Sequence, residues 1–164
     1  MVSIDGFPRR LLITGYPACR KTTFATWLES EHGYLCIASD NETDRFVFVE
    51  KINDAIARHV RVVVDYGFFP VTIPYIKELI QSGFELWWFD GDRTAAREAF
   101  VLRDRTEGHP ASIEDFERYT GLVVQHWAEY QELFEDRFLE VILPDGTQLS
   151  NDERLAAIRQ FQRG

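Results

Sequence analysis

The segment Gly15-Tyr16-Pro17-Ala18-Cys19-Arg20-Lys21-Thr22-Thr23 follows a short apolar run and leads into an amphipathic stretch. It fits the phosphate-cradling pattern G-x-x-x-x-G-K-[ST] at the first glycine, the lysine and the hydroxyl residue. It departs from the pattern at the second glycine, where Arg20 stands. Gly15 lets the chain turn sharply off a strand. The backbone N–H groups that follow can form an anion-binding concavity, and the next helix adds the partial positive charge of its N-terminus. Lys21 is spaced to reach the β- and γ-phosphates of a nucleotide, and Thr22 to offer a hydroxyl to Mg²⁺. A positive φ at position 20 costs an arginine roughly 1–2 kcal/mol. A right-handed helical φ there would tolerate it and add charge near the phosphates. The plain alternative is a strand–turn–helix junction with an incidental Lys-Thr pair.

A second carboxylate-bearing feature is Val62-Val63-Val64-Asp65-Tyr66-Gly67-Phe68. An apolar strand closing on an aspartate faces Mg²⁺ across the top of the sheet in a Walker-B-like arrangement. The structural alternative is a turn aspartate ahead of Gly67. Ala38-Ser39-Asp40 closes another run, with Arg45 five residues on; Ser39 or Asp40 also fits a helix N-cap. Phe68 fits either the wall of an acceptor pocket or the core.

These residues need elements to position them. The pattern predicts strands over Arg9–Thr14, Tyr34–Ala38, Val60–Val64, Phe84–Phe89 and Phe138–Leu143. Helices are expected over Lys21–Glu31, with Phe24, Trp27 and Leu28 on one face, and over Thr43–His59, bearing Phe46, Val49, Ile52 and Ile56. Others are expected over Ile73–Gln81 and Thr94–Arg103, the latter entered through a cap at Asp92 or Thr94. After a polar loop over Asp104–Ala111, one long helix, Ser112–Glu135, carries the stripe Phe116, Tyr119, Val123, Trp127, Tyr130 and Phe134. Ser150 with Glu153 opens a last helix to about Gln162. Strands alternating with helices predict an α/β fold: three layers, α/β/α, around a mainly parallel five-stranded sheet. Ligands of such sheets bind beyond the carboxyl ends of the strands. We expect one domain over residues 1–164, with a short lid at about 104–112.

The loop resembles that of the P-loop kinases, especially the small ATP-dependent group of zeta-toxin-like, gluconate-kinase-like and polynucleotide-kinase-like enzymes. Their loop often reads G-x-P-G-S-G-K-[ST]-T; Gly15, Pro17, Lys21, Thr22 and Thr23 agree, and Ala18, Cys19 and Arg20 do not. The resemblance implies ATP and Mg²⁺ as cofactors, with residues 15 and 17–23 cradling the nucleotide and Thr22 and Asp65 at the metal. It implies that Asp40 contacts the acceptor hydroxyl, where a carboxylate can take the proton. Asp65 is implied at the metal, its waters or the acceptor; beside these, Arg45 is placed by the sequence to bind an anionic part of the acceptor or a phosphate, and Phe68 to wall the acceptor pocket. Arg103 and Arg105, at the lid boundary, become the arginines that close over the phosphates; as surface ion-pair partners they have an equally plain role. Residues Pro144-Asp145-Gly146-Thr147 occupy the place where such enzymes pass the adenine ring, with no base-specific motif of their own.

Composition narrows the partners. The formal net charge of −9 argues against long nucleic acid. Of the 18 basic residues only Lys21, Lys51 and Lys77 are lysines, and one of these is in the loop. Two cysteines outside any CxxC pair suit reduced thiols in the cytoplasm. No apolar run approaches membrane-spanning length. The expected partners are ATP and a small-molecule acceptor. Three functions are open: an ATP-dependent phosphotransferase, a nucleotide-binding or regulatory protein of the same fold without turnover, and an α/β interaction protein that binds no nucleotide.

Overall fold

The computed structural model describes residues 4–39, 45–67, 72–107 and 113–163. Five strands form one sheet: β1 (Arg10–Gly15), β2 (Leu35–Ala38), β3 (Val62–Asp65), β4 (Glu85–Gly91) and β5 (Phe138–Ile142). Their order is β2-β3-β1-β4-β5, and every neighbouring pair is parallel. The helices are α1 (Lys21–His32), α2 (Arg45–Ala57), α3 (Ile73–Gln81), α4 (Arg93–Glu107), α5 (Ile113–Gln125), α6 (Trp127–Phe134) and α7 (Asn151–Arg163). The expected α/β fold with a parallel five-stranded sheet is present.

The layers follow from the order. The crossover from β1 to β2 runs one way along the sheet, and the next three run the other way. Right-handed crossovers in opposite directions put helices on opposite faces. Alternation along β4 agrees. Trp87 meets Phe161 of α7, and Phe89 meets Phe24 of α1. Between them, Trp88 points the other way, onto Trp127, Tyr130 and Phe134 of α6. A strand covered on both faces has no polar side to show, so β1 and β3 read as nearly unbroken apolar runs.

Four details differ from the sequence expectation. Phe46 is 69% exposed, and α2 instead buries Phe48, Ile52 and Ala55. The long helix after the lid is two helices, broken at His126 (φ −108°, ψ 16°). Backbone bonds from His126 to Leu122 and from Tyr130 to His126 span the break. The apolar stripe therefore keeps its face, with Phe116, Val123, Tyr130 and Phe134 all buried. Helix α4 runs on to Glu107, so the first four residues of the expected lid are helical, and 108–112 lie outside the described residues. Strand β4 extends two residues further than expected, through Gly91.

Other expectations hold. Asp92 caps α4 through the N–H of Ala95 (3.1 Å). Ser150 and Glu153 exchange reciprocal side-chain–backbone bonds, both 3.1 Å, at the start of α7. Among the described residues, no helix is long and apolar enough to cross a membrane.

Trp88 is fully buried at the centre of the α6 layer. Trp88→Ala is expected to cost about 3–5 kcal/mol and to lower Tm by on the order of 10 °C, read by thermal unfolding.

Candidate phosphate-binding site

The site is built where β1 leaves the sheet. Gly15 pairs with Phe89 of β4 and has φ +140°. A Cβ at this position would lie 1.9 Å from the Phe89 carbonyl oxygen, so no side chain fits. The next residue, Tyr16, donates its N–H to that same oxygen (3.1 Å). Its fully buried ring lies edge-on to Trp88 and Tyr119, beneath the Arg93 guanidinium (3.8 Å to the ring centroid). Arg93 in turn donates to Asp90 (2.6 Å) and to the Gly91 carbonyl (2.8 Å).

The loop then bends twice through left-handed backbone, at Ala18 (φ 68°) and at Arg20 (φ 54°, ψ 41°). Arg20 thus has the positive φ that glycine would adopt without strain, and it serves as the N-cap residue of α1. It makes no side-chain capping bond, and the first turn of α1 has no acidic residue. No side chain of the first turn therefore offsets the positive end of this helix.

Lys21 and Thr22 open α1, and both side chains are hydrogen-bonded. Lys21 Nζ donates to the carbonyls of Tyr16 (2.9 Å) and Gly15 (3.5 Å). Thr22 Oγ1 donates to Asp65 Oδ2 at 2.5 Å, and Asp65 is buried at the end of β3. One residue beyond the neighbouring strand, Ser39 Oγ accepts the N–H of Gly67 (2.9 Å) and ties the ends of β2 and β3 together.

A cavity of about 680 Å³ opens above the loop. Of the sequence-predicted residues, Gly15, Pro17, Ala18, Arg20, Lys21, Thr22, Thr23, Asp65 and Arg103 line it. Cys19 does not: its side chain is fully buried beneath the loop, and burial pushes its thiol up to about 11. Asp40 and Phe68 lie outside the described residues, as do the side chains of Arg45 and Arg105. Among the described residues, four basic side chains (Arg20, Lys21, Arg103, Arg118) and two acidic ones (Asp65, Asp115) line the cavity. Arg118 and Asp115 also pair with each other at 3.0 Å. The cavity is cationic in a chain of net charge −9.

Sequence reasoning missed two residues that hold the loop. The hydroxyl of Tyr119, on α5, donates to the Gly15 carbonyl (3.1 Å), and burial pushes its pKa well up. Tyr119 was legible only as part of an apolar stripe. Arg154, on α7, is 1% exposed and donates to the Cys19 carbonyl (2.6 Å). Its position, next to buried Leu155 and four residues before buried Ile158, was the available signal that it faces inward. Residues 144–147, expected near an adenine ring, do not line the cavity, whereas Gln148 just after them does.

The whole chain is similar in fold to solved kinases. A gluconokinase from Sinorhizobium meliloti 1021 superposes with a TM-score of 0.59 at 15% identity, covering 96% of this chain and 95% of that one. A candidate kinase from Chloroflexus aurantiacus gives 0.59 at 13%, covering 97% and 98%. The shikimate kinase from Bacteroides thetaiotaomicron gives 0.52 at 12%, covering 94% and 96%. No protein-family model matches the sequence, and no curated protein matches it. The fold is that of the P-loop kinases.

Two measurements test the loop. Because position 20 is left-handed, Arg20→Gly should be more stable than Arg20→Ala by about 1 kcal/mol in denaturant unfolding. Equal stabilities would contradict the positive φ.

The second concerns Cys19, whose thiol titrates near 11 in the fold against 9.0 ordinarily. A group whose pKa is raised by folding supports the native state below its unfolded pKa, and that support is lost as pH climbs through the folded value. Stability should therefore fall by about 1 kcal/mol between pH 8 and pH 10 through this thiol. Cys19→Ala should flatten that fall in denaturant titrations at the two pH values.

Proposed function

We propose that the chain is an ATP-dependent phosphotransferase that moves a γ-phosphate to a small acceptor with Mg²⁺. The observation that carries this is the start of α1. It has no side-chain cap and no first-turn acid, it follows a glycine-initiated loop at the carboxyl end of a central strand, and it holds Lys21 and the Thr22–Asp65 pair at its mouth. A polyphosphate would meet the loop amides, the helix N-terminus and the Lys21 ammonium together.

The Thr22 hydroxyl and the Asp65 carboxylate are hard oxygen donors 2.5 Å apart, a set suited to Mg²⁺ held by few protein ligands and the phosphates themselves. The bound ion would neutralise charge on the transferring phosphoryl group. Asp65 orients Thr22 through their hydrogen bond. Arg103 lines the same cavity and would offset negative charge as it develops. Roles for Arg105 at the phosphates and for Arg45 and Phe68 at the acceptor rest on the sequence alone. Asp40 takes the acceptor's proton; this role rests on the resemblance alone. The two free cysteines and the absence of a membrane-spanning helix among the described residues support a cytoplasmic setting.

A second reading is favoured by one observation. Both left-handed loop positions, Ala18 and Arg20, are occupied by residues other than glycine. In that reading the loop binds nucleotide without turning it over.

Thermal unfolding with ATP and Mg²⁺ separates the cases, beside Lys21→Ala and a transfer assay from γ-labelled ATP to a panel of hydroxyl acceptors. ATP at about 100 times its dissociation constant should stabilise the wild type by roughly 2.7 kcal/mol, a few degrees in Tm, and Lys21→Ala should lose that gain. Stabilisation without transfer to any acceptor would select the second reading. No stabilisation at millimolar ATP would remove both.

A further inference from the structure

Arg154 is an unusual residue to find inside this protein. It is 1% exposed, and among the described residues no carboxylate pairs with it, in a chain with 27 acidic residues. Its guanidinium is satisfied by neutral oxygens instead. It donates to the carbonyls of Leu149 (3.0 Å), Cys19 (2.6 Å) and Arg20 (3.5 Å) and to Gln148 Oε1 (3.5 Å). A buried charge without a counter-ion is costly, and it is commonly retained where an anion or a special geometry needs it.

We propose that Arg154 is a positioning residue of the phosphate loop: it holds the Cys19 and Arg20 carbonyls so that the following amides face the cavity, and its unneutralised charge draws a polyphosphate to the other side of the loop. This rests on the nucleotide reading above.

The geometry supports both halves. In a planar trans peptide the C=O of one residue and the N–H of the next point in opposite directions. With the Cys19 carbonyl drawn to Arg154, the N–H of Arg20 points away from α7. The same holds for the Arg20 carbonyl and the N–H of Lys21. Residues 17, 18, 20 and 21 line the cavity, while Cys19 and Arg154 lie beneath the loop. The amides are thereby aimed where an anion would sit. Left-handed backbone at Ala18 and Arg20 is strained and persists only where its surroundings over-determine it. Arg154 supplies that constraint at residues 19 and 20, from a helix about 135 positions later in the chain.

The test measures binding of ATP-Mg²⁺ and of inorganic tripolyphosphate to the wild type, Arg154→Met, Arg154→Lys and Ile158→Ala by calorimetry, with Tm recorded for each. Ile158 is buried on the same helix and lies outside the cavity lining, so its truncation reports loss of stability alone. Loss of charge-assisted hydrogen bonds to the loop predicts that Arg154→Met weakens both ligands by about tenfold or more, that Arg154→Lys restores part of this, and that Ile158→Ala stays within about twofold of wild type despite a lower Tm.

Wild-type affinity in Arg154→Met, or an equal loss in Ile158→Ala, would overturn the proposal and leave the nucleotide reading intact. If Arg154→Met does not fold, Arg154→Lys decides, because it keeps the charge but replaces the planar five-donor fork with one compact ammonium that cannot hold the same four acceptors in the same geometry. It should bind more weakly than wild type, with faster hydrogen exchange at the amides of residues 20 and 21. Unchanged binding and exchange in Arg154→Lys would overturn the proposal. A wild type that binds neither ligand would remove the nucleotide reading and this inference with it.

Discussion

Strands β1 and β4 run in parallel register up to the pair Gly15 and Phe89, and there the chain must leave the sheet without a side chain to steer it. The Phe89 carbonyl occupies the space that a Cβ would take, and it still accepts the next N–H, that of Tyr16. The exit is therefore fixed in direction. Tyr16 is thrown onto the Trp88 side of the sheet, among Phe116 and Tyr119. Three residues later Cys19 is buried on the other side, where Arg154 lies over Phe89. The loop straddles the carboxyl end of the sheet with one anchor in each helical layer. Its conformation depends on the packing of the whole domain more than on its own sequence.

That dependence explains how the loop tolerates residues that glycine would normally replace. Left-handed backbone at Ala18 and Arg20 costs on the order of 1–2 kcal/mol at each position. A free loop would relax. Here the Gly15 carbonyl is held by Tyr119, the Cys19 carbonyl by Arg154, and the start of α1 by the bond from Phe24 N–H to the Arg20 carbonyl. The strain is carried by α5, α7 and α1 together. Charge follows the same plan. The chain is acidic overall, yet the cavity above the loop is lined by more basic than acidic side chains among the described residues, with a further buried arginine beneath.

Much of this architecture was legible because it rests on local periodicity. The run Val62–Val64 closing on Asp65, the alternation of strands with helices, and the cap at Ser150 and Glu153 are each written within a few residues. What was not legible depends on partners far away in the chain. Phe46 fits the apolar face of α2 by spacing, but Phe48 is the residue that stacks near Tyr66. The break at His126 leaves no proline or glycine signal, since the stripe passes through it unchanged. Tyr119 reads as one more core aromatic until its hydroxyl is seen on Gly15. Leu155 and Ile158 beside Arg154 hint that it faces inward, but nothing local says that the loop lies above it. Both loop-holding residues act across more than a hundred positions, beyond the reach of any pattern window.

The resting hydrogen bonds of the loop also bear on what occupying it requires. Lys21 Nζ is turned back onto the carbonyls of Gly15 and Tyr16, so its charge is satisfied by the loop itself. A phosphate group entering the cavity has to exchange those carbonyls for its own oxygens, and the exchange is favourable only if the abandoned carbonyls are not left bare. At Gly15 they are not, since the Tyr119 hydroxyl is already bonded to that oxygen. Tyr119 thus does more than brace the loop. It satisfies the Gly15 acceptor independently of the lysine, and the Cys19 N–H does the same at the Tyr16 carbonyl (3.4 Å). Burial raises the Tyr119 pKa and so keeps the hydroxyl in its protonated, donating form.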